Sequence, residues 1–221
     1  MEINKLYNMD CMRFMESVDG GQFDLTLTDI PYNAVNRNSN GLSKLCSDVG
    51  DADVMTFDLN EFLEQVYDKT KSTIIIFCGK EQLSPIYDFF AKKQKKHYGT
   101  VRQLVWEKTN PVPSNGQHIY LSGIENAVWF KKRGGSFNGF CKNTVFRYPI
   151  TRNRIHPTEK NHDLLKELII DNSNECDIVF DPCAGSGSSC LVAMKNGRNY
   201  VGVELNKTYF DLAAERLSKS M

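Results

Sequence analysis

Apolar residues along this chain follow two spacings, which predict an alternation of strands and helices. Residues 59–67 are apolar at helical spacing, whereas residues 73–78 form a continuous apolar run that is typical of a strand covered on both faces. The same patterns predict further strands at 23–28, 101–106, 126–131, 178–181 and 200–204, and further helices at 81–96, 164–170, 189–195 and 209–217.

This alternation indicates βαβ units, and therefore an α/β fold with a mostly parallel central sheet and helices on both faces. The length of 221 residues suits a single domain. Two polar stretches, residues 33–56 and 134–154, interrupt the alternation and are too long for simple connections. Because long loops at one edge of such a sheet are usually functional or disordered, both are candidates for a binding role.

The composition constrains the partners and the compartment. The 27 basic and 27 acidic side chains cancel, so any surface for nucleic acid must be local. No apolar run is long enough to span a membrane, and residues 1–5 do not resemble a signal peptide, which predicts a cytoplasmic protein with no membrane partner. The seven cysteines form no Cys-x-x-Cys pair, which argues against a disulfide framework and a zinc ribbon. We therefore expect free thiols and no metal.

An apolar strand leads directly into the tetrapeptide Asp29-Ile30-Pro31-Tyr32. This turn places a carboxylate, a backbone carbonyl and an aromatic face close together, and these groups can hold a planar heterocycle and bind its exocyclic amine. Asp-x-Pro-Tyr also makes an ordinary strand-ending turn, because Pro fixes φ and Asp bonds its own backbone. The tetrapeptide alone therefore leaves a catalytic and a purely structural interpretation open.

Residues 178–189 combine a buried strand, a Gly-x-Gly turn and the start of a helix. Gly185 and Gly187 would let the backbone approach a ligand closely. Glu204 ends the next predicted strand, where a carboxylate commonly accepts ribose hydroxyls. Cys190 occupies the third glycine position of the dinucleotide fingerprint, and the P-loop sequence is absent. The segment therefore favours a nucleoside without phosphates over a dinucleotide or a plain strand–turn–helix corner, and it disfavours a nicotinamide-dependent oxidoreductase.

Four motifs in order resemble the beta-class DNA amino-methyltransferases, which methylate exocyclic amines of DNA bases. Residues 29–32 resemble the Asp-Pro-Pro-Tyr motif of that family, and residues 156–160 (His-Pro-Thr-Glu-Lys) resemble its His-Pro-Thr-Gln-Lys motif. Residues 8–11 with 23–25 resemble the opening of the family, and residues 181–189 its cofactor loop. The resemblance covers nearly the whole chain. It implies one Rossmann-like methyltransferase domain over residues 1–221, with a circularly permuted motif order in which the catalytic motif precedes the cofactor loop.

The resemblance also implies site residues and the cofactor S-adenosylmethionine. Ile30 stands where the family usually has Pro, but its carbonyl can serve the same purpose. Cys183 stands where the family usually has Phe, and this change is expected to loosen stacking on the adenine ring of the cofactor. The residues implied around the target base are Asp29, Ile30, Pro31 and Tyr32, and those implied around the cofactor are Asp10, Cys11, His156, Thr158, Lys160, Asp181, Pro182, Cys183, Gly185, Ser186, Gly187 and Glu204.

Basic residues interleaved with aromatics between residues 131 and 160 suit a surface that contacts phosphates and wedges bases. The alternative is a solvated loop with a few core aromatics. We expect target-recognition loops at about 33–56 and 133–155. Both are short, so the recognised site would be a few base pairs, and a homodimer could add contacts. The predicted DNA-binding residues are Lys131, Lys132, Arg133, Lys142, Arg147, Arg152 and Arg154.

The sequence therefore predicts an enzyme that methylates the N6 amine of adenine at specific DNA sites, after flipping the base out of the duplex. Family members that act on cytosine N4 usually carry Ser where this chain has Asp29, which favours adenine. Cytosine-N4 methylation, a non-catalytic DNA-binding module on a decayed methyltransferase fold, and methylation of RNA or a protein amide remain as alternatives. A cognate restriction endonuclease is a further expected partner.

Overall fold

The computed structural model describes residues 1–32, 54–112, 118, 120–151 and 159–220. An eight-stranded sheet lies at the centre of these residues, with helices on both sides. The strands are β1 Lys5–Asn8, β2 Phe23–Asp29, β3 Thr70–Cys78, β4 Gly99–Lys108, β5 Ile124–Lys132, β6 Val145–Tyr148, β7 Ile178–Asp181 and β8 Asn199–Glu204. The helices are α1 Cys11–Glu16, α2 Leu59–Lys69, α3 Lys80–Lys95, α4 His162–Asn172, α5 Ser188–Lys195 and α6 Lys207–Ser218.

The strand order across the sheet is β1-β8-β7-β2-β3-β5-β4-β6. Strands β1, β8, β7, β2 and β3 are parallel neighbours, as are β4 and β6. Strand β5 runs antiparallel to both β3 and β4, so within the described residues it alone opposes the common direction. This arrangement confirms the predicted α/β fold with a mostly parallel sheet.

Apolar side chains alternate between the two faces of the sheet and build one core on each face. On β3, Ile74 and Ile76 pack with α1, α2 and α3, whereas Ile75 and Phe77 pack on the side of α4, α5 and α6. All four side chains are buried. The continuous apolar run of β3 thus reflects coverage on both sides, as the sequence pattern indicated.

Three elements were not predicted from the pattern. Strand β1 has only four residues, of which Leu6 alone is buried, and helix α1 has six. Strand β6 lies inside the stretch 134–154 that we expected to be a loop; it is an edge strand with half-exposed side chains, so it carries no apolar run. Short or half-exposed elements give a weak hydrophobic signal, which explains all three differences.

The direction of each strand decides which residues meet at each edge of the sheet. The parallel strands β1, β8, β7, β2 and β3 end at one edge, which we call the carboxyl edge. Because β5 is reversed, its first residues Ile124 and Glu125 reach the carboxyl edge, whereas Lys131 lies opposite Thr73 near the start of β3. Within the described ranges, no helix has the length and apolarity needed to cross a membrane.

Candidate active site

A cavity of about 270 Å³ lies at the carboxyl edge, and both principal sequence motifs line it. Residues 29–32 come from the turn after β2, and residues 181–186 come from the loop after β7. The wall is completed by residues from the start of α1, from the segment before α4 and from the end of β8, namely Asp10, Cys11, Lys160 and Glu204. The fold thus joins in one cavity two motifs that lie far apart in sequence.

The loop after β7 has the backbone geometry that its glycines allow. Gly185 has φ of +50° and Gly187 has φ of +68°, a region that L-residues with side chains rarely adopt. Gly187 precedes α5, and a Cβ atom there would lie 3.1 Å from the Cβ atom of Ala213 on α6. The Glu204 carboxylate closes the loop, because it accepts the Gly185 N–H at 2.8 Å and the Asn206 N–H at 2.7 Å.

Asp181, the last residue of β7, is buried beneath this loop. One carboxylate oxygen accepts the Ser189 hydroxyl and the other accepts the Cys183 N–H at 3.1 Å. Burial raises the pKa of Asp181 to about 6, although the hydrogen bond from Ser189 acts in the opposite direction. The carboxyl group therefore titrates well above the ordinary range of an aspartate.

The cysteines at the cavity are free thiols. The hydrogen bond to Cys11, together with burial, raises the pKa of the Cys183 thiol well above its ordinary value. Burial likewise raises the pKa of Cys78, beside the turn after β2, to about 12. These thiols are protonated at neutral pH, which disfavours a nucleophilic role because the thiolate is the reactive form.

Asp29 and Tyr32 are joined at the turn after β2, and Lys160 binds both. The Tyr32 hydroxyl donates to Oδ1 of Asp29 at 2.6 Å, while Nζ of Lys160 lies 2.5 Å from Oδ2 of Asp29. Lys160 Nζ also donates to the Tyr32 hydroxyl at 3.2 Å and pairs with Glu125 Oε2 at 2.9 Å. Glu125 in turn pairs through Oε1 with Lys108 at 2.9 Å. The result is a buried cluster of two carboxylates, two ammonium groups and a phenol.

The pKa shifts in this cluster follow from burial and pairing. Burial raises the pKa of Asp29, and the nearby Glu125 adds to this effect, against the opposing influence of Lys160. Burial alone would raise the pKa of Glu125, but Lys160 and Lys108 outweigh it and lower the pKa to about 2. Burial also raises the pKa of the Tyr32 hydroxyl, which is therefore neutral. Asp29 is the more basic of the two carboxylates.

Ile30 and Pro31 are held by the body of the fold. The Ile30 side chain is 1% exposed and belongs to the core on the side of α1, α2 and α3. The Ile30 N–H donates to the Phe77 carbonyl at 3.3 Å, and the Pro31 carbonyl accepts the Gln82 side chain at 2.7 Å. Gln82 in turn accepts the Gly79 N–H at the start of α3. Ile30, which differs from the family pattern, is thus fixed by packing.

A second buried ion pair supports the loop after β7. Glu159 has a nearly fully buried side chain; it pairs with Arg216 of α6 at 2.7 Å, and its Oε1 lies 3.0 Å from Nε2 of His162. Arg216 also donates to the Ser186 carbonyl at 3.2 Å and to the Ser188 hydroxyl at 3.0 Å. Arg216 therefore ties α6 to the loop and to the segment before α4.

Among the residues that the structure describes, the predicted DNA-binding side chains do not lie together on one surface. Lys131, Lys132 and Arg133 lie at the edge opposite the cavity, where Lys131 donates to the Gly135 carbonyl and Lys132 donates to the Tyr67 carbonyl. The structure thereby separates these three from the candidate site, because β5 runs against its neighbours.

The other predicted DNA-binding residues differ in their surroundings. Lys142 pairs with Asp171 and Glu167 at 2.7 and 3.0 Å. Arg147 on β6 is exposed near the carboxyl edge and pairs with Glu107 at 2.9 Å. Four predicted site residues lie outside the described residues, namely Arg152, Arg154, His156 and Thr158, as do residues 33–53 of the first expected recognition loop.

Sequence reasoning missed several members of the site. Glu125, Lys108, Gln82 and Arg216 carry no local signal, because each acts through a contact with residues distant in the chain. Glu159 lies within the His-Pro-Thr-Glu-Lys motif, and its charge at a buried position could have indicated a paired role. Among the described residues, no group of three or more His, Cys, Asp and Glu side chains is placed to hold a metal ion.

Comparison with known sequences identifies relatives along nearly the whole chain. The DNA methylase family model matches residues 137–215. Type II methyltransferase M2.LlaDCHI of Lactococcus lactis subsp. cremoris is 26% identical over 97% of this chain and 89% of its own length. M2.DpnII of Streptococcus pneumoniae is 24% identical over 96% of this chain and 88% of its own length. M.HinfI of Haemophilus influenzae is 25% identical over 97% of this chain and 68% of its own length.

Solved structures share the fold. The complex of M1.HpyAVI with SAM has a TM-score of 0.71 and 25% identity, covering 96% of this chain and 98% of its own. The complex of TTHA0409 of Thermus thermophilus with S-adenosyl-L-methionine has a TM-score of 0.67 and 19% identity over 98% and 94%. The cytosine-N4-specific PvuII DNA methyltransferase has a TM-score of 0.73 and 14% identity over 100% and 92%.

Agreement with these structures along nearly the whole chain shows that this protein has the Rossmann-like methyltransferase fold. The order of its parts is the permuted one, because the turn after β2 precedes the loop after β7. The family model, over residues 137–215, and the curated relatives make the likeness more specific: the chain is similar to DNA amino-methyltransferases. The resemblance inferred from the four ordered motifs is thereby confirmed.

Proposed function

We propose that this protein transfers a methyl group from S-adenosylmethionine to the N6 amine of adenine in DNA. The observation that carries the proposal is the shared cavity. The turn with Asp29 and Tyr32 and the loop closed by Glu204 line the same space. A base bound by the turn would therefore lie next to a nucleoside bound by the loop. The family and its type II relatives support DNA as the substrate.

The loop side of the cavity suits an adenosine that carries a sulfonium. Glu204 uses both carboxylate oxygens for backbone N–H groups, and each oxygen keeps a lone pair that could accept a ribose hydroxyl. Asp10 and Asp181 add carboxylates that suit a cationic ligand, and Pro182 and Cys183 supply apolar wall. When bound there, S-adenosylmethionine supplies the methyl group, so that a C–N bond forms as its C–S bond breaks and the nitrogen gives up a proton.

The turn side suits the amine of a base flipped out of the duplex. An aromatic amine is a poor nucleophile because its lone pair is delocalised into the ring. Hydrogen bonds from its protons to the Asp29 carboxylate and the Ile30 carbonyl would favour a pyramidal nitrogen. Holding the reactants in this orientation contributes on the order of 7–11 kcal/mol in favourable cases. Asp29 has a raised pKa, so it is suited to receive the proton that leaves.

Adenine is favoured over cytosine by the residue at position 29. Family members that act on cytosine N4 usually carry Ser there, whereas this chain carries Asp, which offers two acceptor oxygens. The Tyr32 ring is anchored through its hydroxyl to Asp29, and it could stack on the extruded base. Such stacking contributes roughly 1–3 kcal/mol and offsets part of the cost of unstacking.

The DNA surface in this proposal centres on the carboxyl edge. Arg147 is the predicted DNA-binding residue that the described structure exposes there, and Arg152 and Arg154 follow it in the chain. We further propose that the protein acts in the cytoplasm beside a cognate restriction endonuclease, which the type II class of its relatives supports. A homodimer stays a prediction that rests on the shortness of the recognition segments, and light scattering of the purified protein would test it.

The direct test incubates the protein with methyl-labelled S-adenosylmethionine and unmethylated DNA, digests the DNA to nucleosides and separates them. We expect label in N6-methyl-2′-deoxyadenosine. Label in N4-methyl-2′-deoxycytidine would assign the alternative base, and absence of label from DNA would refute the proposal. Asp29→Asn keeps the shape of the side chain but removes its charge; we expect it to lose turnover and to retain cofactor binding in calorimetry. Equal loss of both would make the turn purely structural.

A further inference from the structure

Glu125 lies in the cluster around Asp29, although neither sequence motif includes it. It is the second residue of β5 and pairs in register with Trp106 of β4. Most strands contribute their last residues to the carboxyl edge, but the reversed β5 contributes its beginning. The Glu125 side chain is 19% exposed, so its charge is largely withdrawn from water.

Lys160 connects Glu125 to Asp29. An ammonium group has three N–H donors. Lys160 directs them to Asp29 at 2.5 Å, to Glu125 at 2.9 Å and to the Tyr32 hydroxyl at 3.2 Å. Its side chain is 7% exposed, which leaves little access for water to replace any of them. The ammonium is therefore shared between two carboxylates instead of belonging to one.

Lys108 completes an alternating row of charges. Its Nζ lies 2.9 Å from Oε1 of Glu125, while Oε2 of Glu125 faces Lys160. The formal charges in the order Lys108, Glu125, Lys160 and Asp29 are plus, minus, plus and minus. Each inner group is held from both sides, and the row ends at the carboxylate that faces the cavity.

We propose that Glu125 is a positioning residue for Asp29, which divides the charge of Lys160 between two carboxylates and so keeps Asp29 available to the amine of the target base. This inference rests on the proposed function. Without Glu125, the ammonium would pair with Asp29 alone. A fully paired Asp29 would be a weaker acceptor for the amine hydrogens. Lys108 would also lose its partner Glu125, which would leave an uncompensated positive charge near the amine nitrogen of the target base. That nitrogen itself becomes more positive as it is methylated.

The proposal makes opposite predictions for the two neighbours. Glu125→Gln removes a negative charge near Asp29 and should therefore lower the pKa of Asp29. Lys108→Met instead removes the positive charge that pairs with Glu125, and it should raise the pKa of Asp29. The groups that face Asp29 are Lys160, Tyr32, Glu125, Asp181 and the Cys78 thiol. The pKa of Tyr32 is raised well above 10 and that of Cys78 to about 12, so neither contributes an acid limb near neutral pH.

The acid limb of kcat/KM for DNA reports the pKa of the essential base in the free enzyme. We expect Glu125→Gln to shift this limb to lower pH and to lower the plateau of kcat by about tenfold or more, since one pKa unit of changed interaction corresponds to tenfold in rate. We expect Lys108→Met to shift the limb to higher pH. Carbon-13 NMR of proteins labelled at the aspartate carboxyls follows the same titration without turnover, and the Asp29 signal is assigned by its loss in Asp29→Asn.

The matched control is Glu64→Gln, which removes an exposed partner of Lys93 at the same 2.9 Å distance and should leave the profile unchanged. Glu125→Asp, which retains the charge, should restore part of the activity. If Glu125 had a purely structural role, its loss would lower the plateau of kcat without changing the pKa of Asp29. An unchanged Asp29 titration in both Glu125→Gln and Lys108→Met would therefore overturn the proposal. If the wild type methylates no DNA, the proposed function fails, while the NMR titration still decides the role of Glu125.

Discussion

The carboxylate of Glu204 accepts the backbone N–H of Gly185 at 2.8 Å, across 19 positions of the chain. Its other oxygen accepts the Asn206 N–H, so the end of β8 fixes the loop after β7. In Glu204→Gln, one of the two acceptor oxygens becomes an NH₂ group, which places a donor against one backbone N–H. We expect the Kd for S-adenosylmethionine to rise about tenfold or more, because hydrogen bonds to charged groups contribute about 1.5–3 kcal/mol. Isothermal titration calorimetry measures it. Glu215→Gln, on the exposed side of α6, should bind like the wild type.

Gly187 and Gly134 form a matched pair for testing the packing of the loop against α6. Both have positive φ, +68° and +81°. A Cβ atom at Gly187 would lie 3.1 Å from the Ala213 Cβ, whereas Gly134 has no atom within 4 Å in the described structure. Each change to Ala should cost about 1–2 kcal/mol of unfolding free energy from the backbone alone. We expect Gly187→Ala to cost more and also to weaken cofactor binding. Equal losses in urea unfolding would show that the close approach is unimportant.

The buried Asp181 predicts a pH dependence of stability. Burial raises its pKa from an ordinary 3.8 to about 6, so the native state holds this proton more tightly than the unfolded state does. The contribution of Asp181 to the free energy of unfolding is therefore fully present below pH 4 and is lost as pH rises through 6. For a shift of roughly two pKa units, this loss amounts to about 3 kcal/mol. Asp181→Asn does not titrate. Its unfolding free energy minus that of the wild type should therefore increase between pH 4 and pH 7, as urea unfolding at several pH values would measure. A difference independent of pH would contradict this shift.

Arg216 should matter more for stability than the exposed cation Lys219, which caps the same helix. It pairs with Glu159, whose side chain is 1% exposed, and it also binds the loop at Ser186. Breaking a buried pair from one side typically costs about 3–5 kcal/mol, because the remaining charge stays buried. We expect Arg216→Met to lower the unfolding free energy by about that amount. Lys219→Met, which breaks an exposed pair with Glu215, should change it by less than about 1 kcal/mol. Similar losses in both variants would contradict a special role for the buried pair.

The parts of the fold and the site that could be predicted from sequence are those whose residue types restrict their own local structure. The buried run of β7, the two glycines with positive φ and the strand ending at Glu204 follow one another within 27 residues, and each type of residue restricts its own backbone. The cluster around Asp29 could not be predicted in the same way. Lys160 lies 131 positions from Asp29, and Glu125 lies 93 positions from Tyr32, so only the order and direction of the strands bring them together.

Strand direction also explains why the charge pattern did not reveal where the first basic residues lie. Basic residues from Lys131 onward are adjacent in sequence to the predicted recognition segment, which suggested one DNA surface. The run begins at the end of β5, and the reversal of that strand carries Lys131, Lys132 and Arg133 to the other edge. Residue order along a chain does not reveal such a reversal, because the apolar pattern of a strand reads the same in both directions.

The reversal of β5 has one more consequence. Glu125, Ala127 and Trp129 alternate with Asn126, Val128 and Phe130, so the buried side chains of the strand determine the face on which Glu125 emerges. A shift of one residue would turn that carboxylate to the other face of the sheet. Selection on the chemistry of the site therefore also acts on the apolar residues farther along the strand. In a comparison of homologous genes, these positions should diverge more slowly than those of the edge strand β6.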